Sequence, residues 1–104
     1  MVWPVPVQNS TIADIFYDIA DLLEIEGANP FRVRAYRDAA RTIEGHPRRI
    51  QEMVEADEPI DEISGIGEDL AKKITEIVET GSLSFYDQLR ARTPDSLIKL
   101  LDIS

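Results

Sequence analysis

Apolar residues recur through most of the chain with the spacing of an α-helix. Between Ile12 and Leu23 they stand three or four positions apart, which predicts a first amphipathic helix that begins at about Asn9. The same reasoning predicts further helices near residues 30–44, after Pro47, over residues 60–63 as one short turn, near residues 70–80, after Ser84 and from Pro94. No segment alternates as a half-buried strand does. The predicted fold class is therefore all-α, a compact multi-helix bundle with short connections.

Residues that favour helix ends fall between these segments. Ser10 or Thr11 is expected to cap the first helix, and Ser84 is expected to cap a later one. Asn29 followed by Pro30 predicts the cap and the first residue of the second helix. Residues 1–8, rich in Val and Pro, predict an extended arm, and residues 9–104 are then expected to form one helical domain.

The composition of the chain excludes several kinds of site and of protein. The chain has 104 residues and no cysteine, which excludes disulfides and thiolate metal sites, and a single histidine cannot build a zinc site alone. No apolar run approaches the roughly 18 residues that a membrane helix needs, and the first residues lack the basic segment of a signal peptide. We therefore expect a monomeric cytoplasmic protein with no membrane association.

Charge is distributed unevenly along the chain. The formal net charge is −9, yet residues 32–49 hold six arginines against two acids, whereas residues 1–31 hold five acids and no base. Such a basic block is a candidate anion-binding patch, in which we single out Arg32, Arg34 and Arg37 as candidate DNA contacts. The alternative is that these arginines neutralise the acidic first helix across a helix–helix interface.

The most informative motif is Ile63-Ser-Gly-Ile-Gly67, which lies between two predicted helices. Gly65 and Gly67 permit a tight turn around the apolar Ile66 and a close approach by another molecule. Free backbone N–H groups at the start of the following helix can bind phosphate oxygens without reading bases. The pattern therefore predicts one DNA-binding helix-hairpin-helix over about residues 60–80, in which Lys72 and Lys73 reach phosphates. The alternative is a plain helical hairpin that needs glycine only for its turn.

Four stretches follow one another in a recognisable order. They are Ile19-Ala-Asp-Leu-Leu-Glu-Ile-Glu-Gly-Ala-Asn-Pro30, Phe31-Arg-Val-Arg-Ala-Tyr-Arg-Asp-Ala-Ala-Arg-Thr-Ile43, Ile63-Ser-Gly-Ile-Gly67 and Leu70-Ala-Lys-Lys-Ile-Thr-Glu-Ile77. Together they resemble the amino-terminal domain of family X DNA polymerases, chiefly the bacterial and archaeal members, over about residues 11–104. The resemblance implies a fragment of a longer nucleotidyltransferase. Its partners would be gapped or nicked DNA and the polymerase domain of the parent chain, and its role would be to position that DNA for repair synthesis.

The same resemblance implies an alternative enzymatic role, a 5′-deoxyribose-phosphate lyase that acts through a Schiff-base lysine. On the motif alignment this lysine falls on Lys73, and a tyrosine of the family's site falls on Tyr36. The family's pocket lysines, however, fall on Asp61, Asp69 and Phe85, so this domain alone is expected to be non-catalytic. A third reading is a protein-interaction module. Borohydride trapping tests the lyase, and salt-dependent DNA binding separates a DNA-binding module from a protein-binding one.

A monovalent cation is the only ligand besides DNA that the resemblance implies. Related hairpins hold K⁺ or Na⁺ through backbone carbonyls, which fall here on Asp61, Ile63 and Ile66. The cation would then face a DNA phosphate. No other cofactor is expected in this domain.

Overall fold

The computed structural model describes residues 6–94, and these residues form five α-helices and one short 3₁₀ turn. The α-helices are α1 (Asn9–Ile25), α2 (Pro30–Glu44), α3 (Ile50–Glu55), α4 (Glu68–Thr80) and α5 (Ser84–Arg92), and the 3₁₀ turn spans Ile60–Glu62. The prediction of an all-α fold is confirmed for this part of the chain. The short helical turn predicted over residues 60–63, which precedes the hairpin turn, is this 3₁₀ turn. Few residues separate Pro59 from Gly65, so a longer helix has no room there.

The most extensive helix pairing in the described chain is that of α1 with α2. The two helices run antiparallel, since Tyr17 contacts Glu44 at one end and Glu24 contacts Arg37 nearer the connection. Their facing sides carry mainly buried apolar residues, and Phe16 of α1 packs edge-to-face on Tyr36 of α2 with ring centroids 5.4 Å apart. This pair forms the base on which the other helices pack.

Helices α3 and α5 are attached to α1 by polar contacts as well as by the core. The Tyr86 hydroxyl of α5 donates a 2.8 Å hydrogen bond to Asp18, and burial raises the pKa of that carboxyl. In α3, the N–H of Ile50 donates to Asn9 Oδ1 of α1 at 2.8 Å, and the side chain of Gln51 accepts the N–H of Val7, just before α1, at 2.8 Å. These hydrogen bonds fix the positions of α3 and α5 relative to α1.

Two of the predicted helix caps are wrong. Ser10 and Thr11 lie within α1, Gln8 stands at its cap position, and no side chain caps that helix. The Oδ1 of Asn9, the first residue of α1, accepts the N–H of Ile50 at the start of α3. Ser84 is the first residue of α5 and not its cap, and its N–H donates to Glu76. The Asn29–Pro30 prediction is confirmed, since Asn29 Oδ1 accepts the N–H of Phe31 at 2.8 Å.

The described residues include only part of each predicted terminal segment. Residues 6–8 of the predicted arm are non-helical, and Val7 is buried. The helix predicted from Pro94 lies almost entirely outside the described residues, as does most of the arm. Helix α3 begins three residues later than Pro47, the expected start. Among residues 6–94 no helix combines the length and apolar character needed to cross a bilayer.

Candidate nucleic-acid interface

The hairpin turn is held by one glycine and one buried isoleucine. Gly65 has a φ of +91°, a left-handed conformation that side chains disfavour. This bend lets the N–H of Ile66 donate to the Ile63 carbonyl at 2.9 Å and turns the Ile66 side chain into the core, where it is 2% exposed. The apolar Ile66, around which the sequence predicts the tight turn, is thus buried.

The start of α4 presents uncapped backbone N–H groups. The first amides of any α-helix lack partners within the helix, and here Gly67 stands at the cap position without a side chain to satisfy them. Gly67 has ordinary extended angles, φ −82° and ψ 179°, and nothing lies within 4 Å of where a Cβ would stand. The helix terminus is thus open to a ligand, and its dipole favours an anion.

Charged residues of both signs surround this terminus. Glu68 and Asp69 occupy the first turn of α4, where they suit the helix dipole but repel an incoming phosphate. Lys72 lies one turn later with its ammonium 3.5 Å from Glu68, and both side chains are more than 70% exposed. A surface pair of this kind is weak and readily exchanges partners. Lys72 is therefore available to a phosphate.

Lys73 occupies a more enclosed position than its neighbour. Its side chain is only 18% exposed, its ammonium lies 3.0 Å from Asp69 Oδ2, and it stands 5.1 Å from the centroid of the Phe85 ring. Glu76, which stands one turn further along α4, accepts the N–H and the hydroxyl of Ser84 at 2.7 Å each, and these bonds lower its pKa. Asp69 is thus the carboxylate that pairs with Lys73.

Tyr36 lies beneath the same cluster. Its ring stacks on Phe85 at a centroid distance of 6.2 Å, and its hydroxyl is buried next to the Lys73 ammonium. Burial raises the pKa of this phenol, against the opposing effect of the positive charges of Lys73 and Arg32. The structure therefore brings together the two residues that the resemblance singled out, Lys73 and Tyr36, and both contact the Phe85 ring.

The three arginines singled out in the sequence do not share one surface. Arg32 lies over the Phe85 ring, 5.1 Å from its centroid, and joins the Lys73 cluster. Arg34 and Arg37 line a separate groove of about 390 Å³ beside α1. There Arg37 bridges Asp21 at 3.0 Å and Glu24 at 3.2 Å, the cross-helix pairing that the sequence left open as an alternative. Their role as DNA contacts stays a prediction.

Two aromatic residues stand out only in the structure. Phe85 stood in the sequence as a departure from the family's lysine pattern, and here its ring joins Arg32, Tyr36 and Lys73. Phe31 is 77% exposed although it is large and apolar, because it precedes the buried stripe of α2. The one sequence signal for its exposure is that Phe31 does not fall on the apolar stripe of α2. Residues 6–94 contain no cluster of His, Asp and Glu side chains suited to a metal ion.

Comparison with known proteins agrees with this geometry. The helix-hairpin-helix domain family matches residues 7–83. The chain is also 34% identical over 85 residues to the DNA polymerase/3′-5′ exonuclease PolX of Bacillus subtilis, a match that covers 82% of this chain but only 14% of that relative. The chain belongs to the helix-hairpin-helix domain family, and its resemblance to such a domain of a family X DNA polymerase is confirmed.

Proposed function

We propose that this chain is a sequence-independent DNA-binding domain that positions gapped or nicked DNA for repair synthesis by a longer family X polymerase. The observation that carries the proposal is the open amino terminus of α4, where Gly67 leaves backbone amides free and Lys72 lies one turn away. Backbone amides at a helix terminus contact phosphate oxygens and not base edges, so they position DNA without reading its sequence. The relative of similar sequence is named as a DNA polymerase.

The affinity of this domain for DNA is expected to be weak and strongly dependent on salt. The net charge of −9 opposes DNA at long range, and the surface offers contacts to about two to four phosphates. The logarithm of the affinity should then fall with the logarithm of salt concentration with a slope of about −2 to −4, and Kd should be about 10⁻⁴ to 10⁻⁶ M. Titration of gapped, nicked and intact duplexes of unrelated sequences at several salt concentrations measures both quantities.

The outcome of that titration separates the proposal from its alternatives. Similar affinity for unrelated sequences, with tighter binding at the gap than on intact duplex, supports a positioning role. Absence of salt-dependent binding would favour a protein-interaction module. Tethering to other domains on the same DNA would raise the occupancy of so weak a module in a full-length polymerase.

We also propose that the hairpin holds K⁺ or Na⁺ against a DNA phosphate. The Ile63 carbonyl accepts one hydrogen bond, from Ile66, and retains a second lone pair. The carbonyls of Asp61 and Ile66 accept no turn hydrogen bond in the described chain, and the exposed side chains of Asp61 and Glu62 favour a cation nearby. Oxygen atoms of this kind suit a hard monovalent ion, so the residues present fit the group.

Exchange of the cation tests this part of the proposal. We expect DNA to bind several-fold more tightly in potassium chloride than in the chloride of a bulky organic cation at matched ionic strength. The physical reason is that an ion between carbonyl and phosphate oxygens neutralises charge that the protein itself cannot. A short basic peptide binding the same DNA serves as the control for general salt effects, and equal binding by this domain in both salts would argue against the ion.

The geometry supports lyase chemistry less well than binding. A Schiff-base lysine must lose its proton, which burial and a cationic neighbour promote. Lys73 is largely buried and Arg32 shares its aromatic neighbour, and these two features favour the reaction. The ion pair with Asp69 at 3.0 Å engages the same nitrogen that would attack the sugar aldehyde. The lyase therefore remains the second candidate function.

A further inference from the structure

The groove beside α1 is a second surface of the domain, which the proposed DNA contact at the start of α4 leaves unused. It has a volume of about 390 Å³ and lies between the last turn of α1, at Glu24, and the helix α2. Ala28, Pro30 and Val33 form its apolar floor, where the chain passes from one helix to the other. A groove with an apolar floor between two helices is a surface on which an amphipathic helix can pack.

The arginines of this groove differ in how they are paired. Two carboxylates of α1 hold Arg37, at 3.0 and 3.2 Å. Arg41 pairs only with Asp38 of its own helix, and the two side chains are 62% and 49% exposed, so this surface pair is weak and exchanges partners readily. Arg34 is exposed and has no ion-pair partner among residues 6–94. Arg34 and Arg41 are thus the guanidinium groups that an incoming carboxylate can reach.

Phe31 adds an apolar side chain near Arg34. It is 77% exposed and stands three residues before Arg34, and residues three or four apart are neighbours on a helix surface. Arg34 and Arg41 are in turn two helical turns apart on one side of α2, about 10.5 Å along the axis. Exposed aromatic and arginine side chains beside an apolar floor are typical of surfaces where proteins bind one another.

Carboxylates in and around the groove disfavour DNA as its occupant. Glu24 and Asp38 belong to the lining, and Asp21 lies against Arg37 at 3.0 Å. These three acids offset the three arginines of the groove, so a run of phosphates would gain little from this surface. A protein segment needs only two carboxylates, one for each accessible arginine, and an apolar side chain for the floor.

We propose that this groove binds an acidic amphipathic helix of another protein, with one carboxylate on Arg34, a second on Arg41 and an apolar side chain on the floor at Pro30. Carboxylates seven residues apart on a helix match the two arginines, because that spacing repeats the same rise on the same side. The apolar residue stands three or four positions beyond the carboxylate that meets Arg34, since the floor lies on the side of Arg34 away from Arg41. This interaction goes beyond the DNA-binding role and does not depend on it.

The probe is a synthetic alanine-rich helical peptide with two glutamates seven residues apart and a leucine three residues after the second. A second matched peptide carries the same residues in reverse order, because the spacing does not fix the direction of the helix in the groove. The control peptide has the same composition, but its glutamates stand five residues apart and therefore on different sides of the helix.

One matched peptide should bind saturably, with NMR shifts of the Ala28 and Val33 amides. Its affinity should exceed that of the control peptide on the order of tenfold, as expected for one additional hydrogen bond between charged groups. Equal affinity for matched and control peptides, saturable shifts confined to other parts of the domain, or no binding would overturn the proposal.

Arg34→Gln tests the contact from the side of the domain, and Arg48→Gln is the matched control. Arg48 is also exposed, follows α2 and does not line the groove, so both variants lose one positive charge from the surface. Arg34→Gln should weaken the matched peptide about tenfold, and Arg48→Gln should change its affinity by less than about twofold. Equal losses in the two variants would show a general charge effect and overturn the proposal.

Competition with DNA shows which kind of macromolecule the groove binds. The matched peptide is titrated into the domain at about 0.15 M salt, with and without a saturating concentration of gapped duplex. Peptide affinities within about twofold of each other support the proposal, because the groove and the start of α4 are separate surfaces and long-range repulsion is screened. Displacement of the peptide by DNA would assign the groove to nucleic acid and overturn the proposal. A domain that binds the peptide but no DNA would overturn the proposed function alone.

Discussion

Replacing Lys72 and Lys73 together by Glu is expected to lower the affinity for gapped DNA by about sixtyfold or more at about 0.1 M salt. Each lost phosphate contact changes the slope of log affinity against log salt by about 0.9, which is about eightfold at that concentration. Lys72 is 75% exposed and only weakly paired with Glu68, and Lys73 stands on the next position of the same helix. Removing both contacts should also reduce the slope by about two.

The control for this experiment changes the same amount of charge elsewhere. Arg41 lines the groove beside α1 and Arg48 follows α2, and neither is among the candidate DNA contacts. Arg41 pairs with Asp38 and Arg48 pairs with Glu58, and both arginines are exposed. Replacing Arg41 and Arg48 by Glu should lower the affinity several-fold less than the lysine pair, because long-range repulsion alone is screened within about 10 Å at this salt concentration.

Lys73 is largely buried, so a negative charge at its position threatens folding as well as binding. The Lys72→Gln and Lys73→Gln pair removes the positive charges without reversing them and should still lose at least tenfold, as expected for up to two lost contacts. Circular dichroism checks that both variants remain helical. A folded lysine variant that binds as tightly as the wild type, or an arginine variant that loses more affinity, would move the DNA contact away from the hairpin.

Local signals allowed most of the helical framework to be predicted. The apolar stripe of α2 and the Asn29–Pro30 pair act through neighbouring residues, and both are found as expected. The cap of α3 was missed because its donor, the Ile50 N–H, and its acceptor, Asn9 Oδ1, come from distant parts of the chain. A side chain that leaves its own helix to cap another produces no periodic pattern.

In the candidate site, too, one part could be predicted from the sequence and another part could not. The hairpin could be predicted because its turn depends on consecutive residues, with Gly65 supplying the left-handed bend and Ile66 the buried anchor. The distribution of the arginines could not, since i, i+3 spacing is compatible with solvent, DNA or an ion pair. Only the packing of α1 on α2 shows that Arg37 is held by Asp21 and Glu24, and only α5 brings Phe85 to Arg32.

The two glycines of the hairpin should respond differently to substitution. Gly67→Val is expected to weaken DNA binding by about tenfold with little loss of helicity. Its backbone angles are extended, a conformation that Val adopts readily, and a Cβ there meets nothing within 4 Å. The added side chain would instead occupy the space through which a phosphate reaches the amides of α4, each hydrogen bond to a charged group contributing about 1.5–3 kcal/mol.

Gly65→Ala supplies the contrasting variant. Its φ of +91° is unfavourable for alanine, and the new Cβ would stand 3.3 Å from Thr42 Oγ1. We expect destabilisation of about 1–2 kcal/mol, which lowers Tm by roughly 4–16 °C in a domain of about this size. DNA binding measured well below that Tm should fall less than in Gly67→Val. Thermal unfolding and DNA titration of both variants therefore separate the two roles of the hairpin, since Gly65 shapes the turn and Gly67 keeps it open. A folded Gly67→Val protein with unchanged affinity would exclude the α4 terminus as the contact, because no phosphate could reach those amides past a valine side chain.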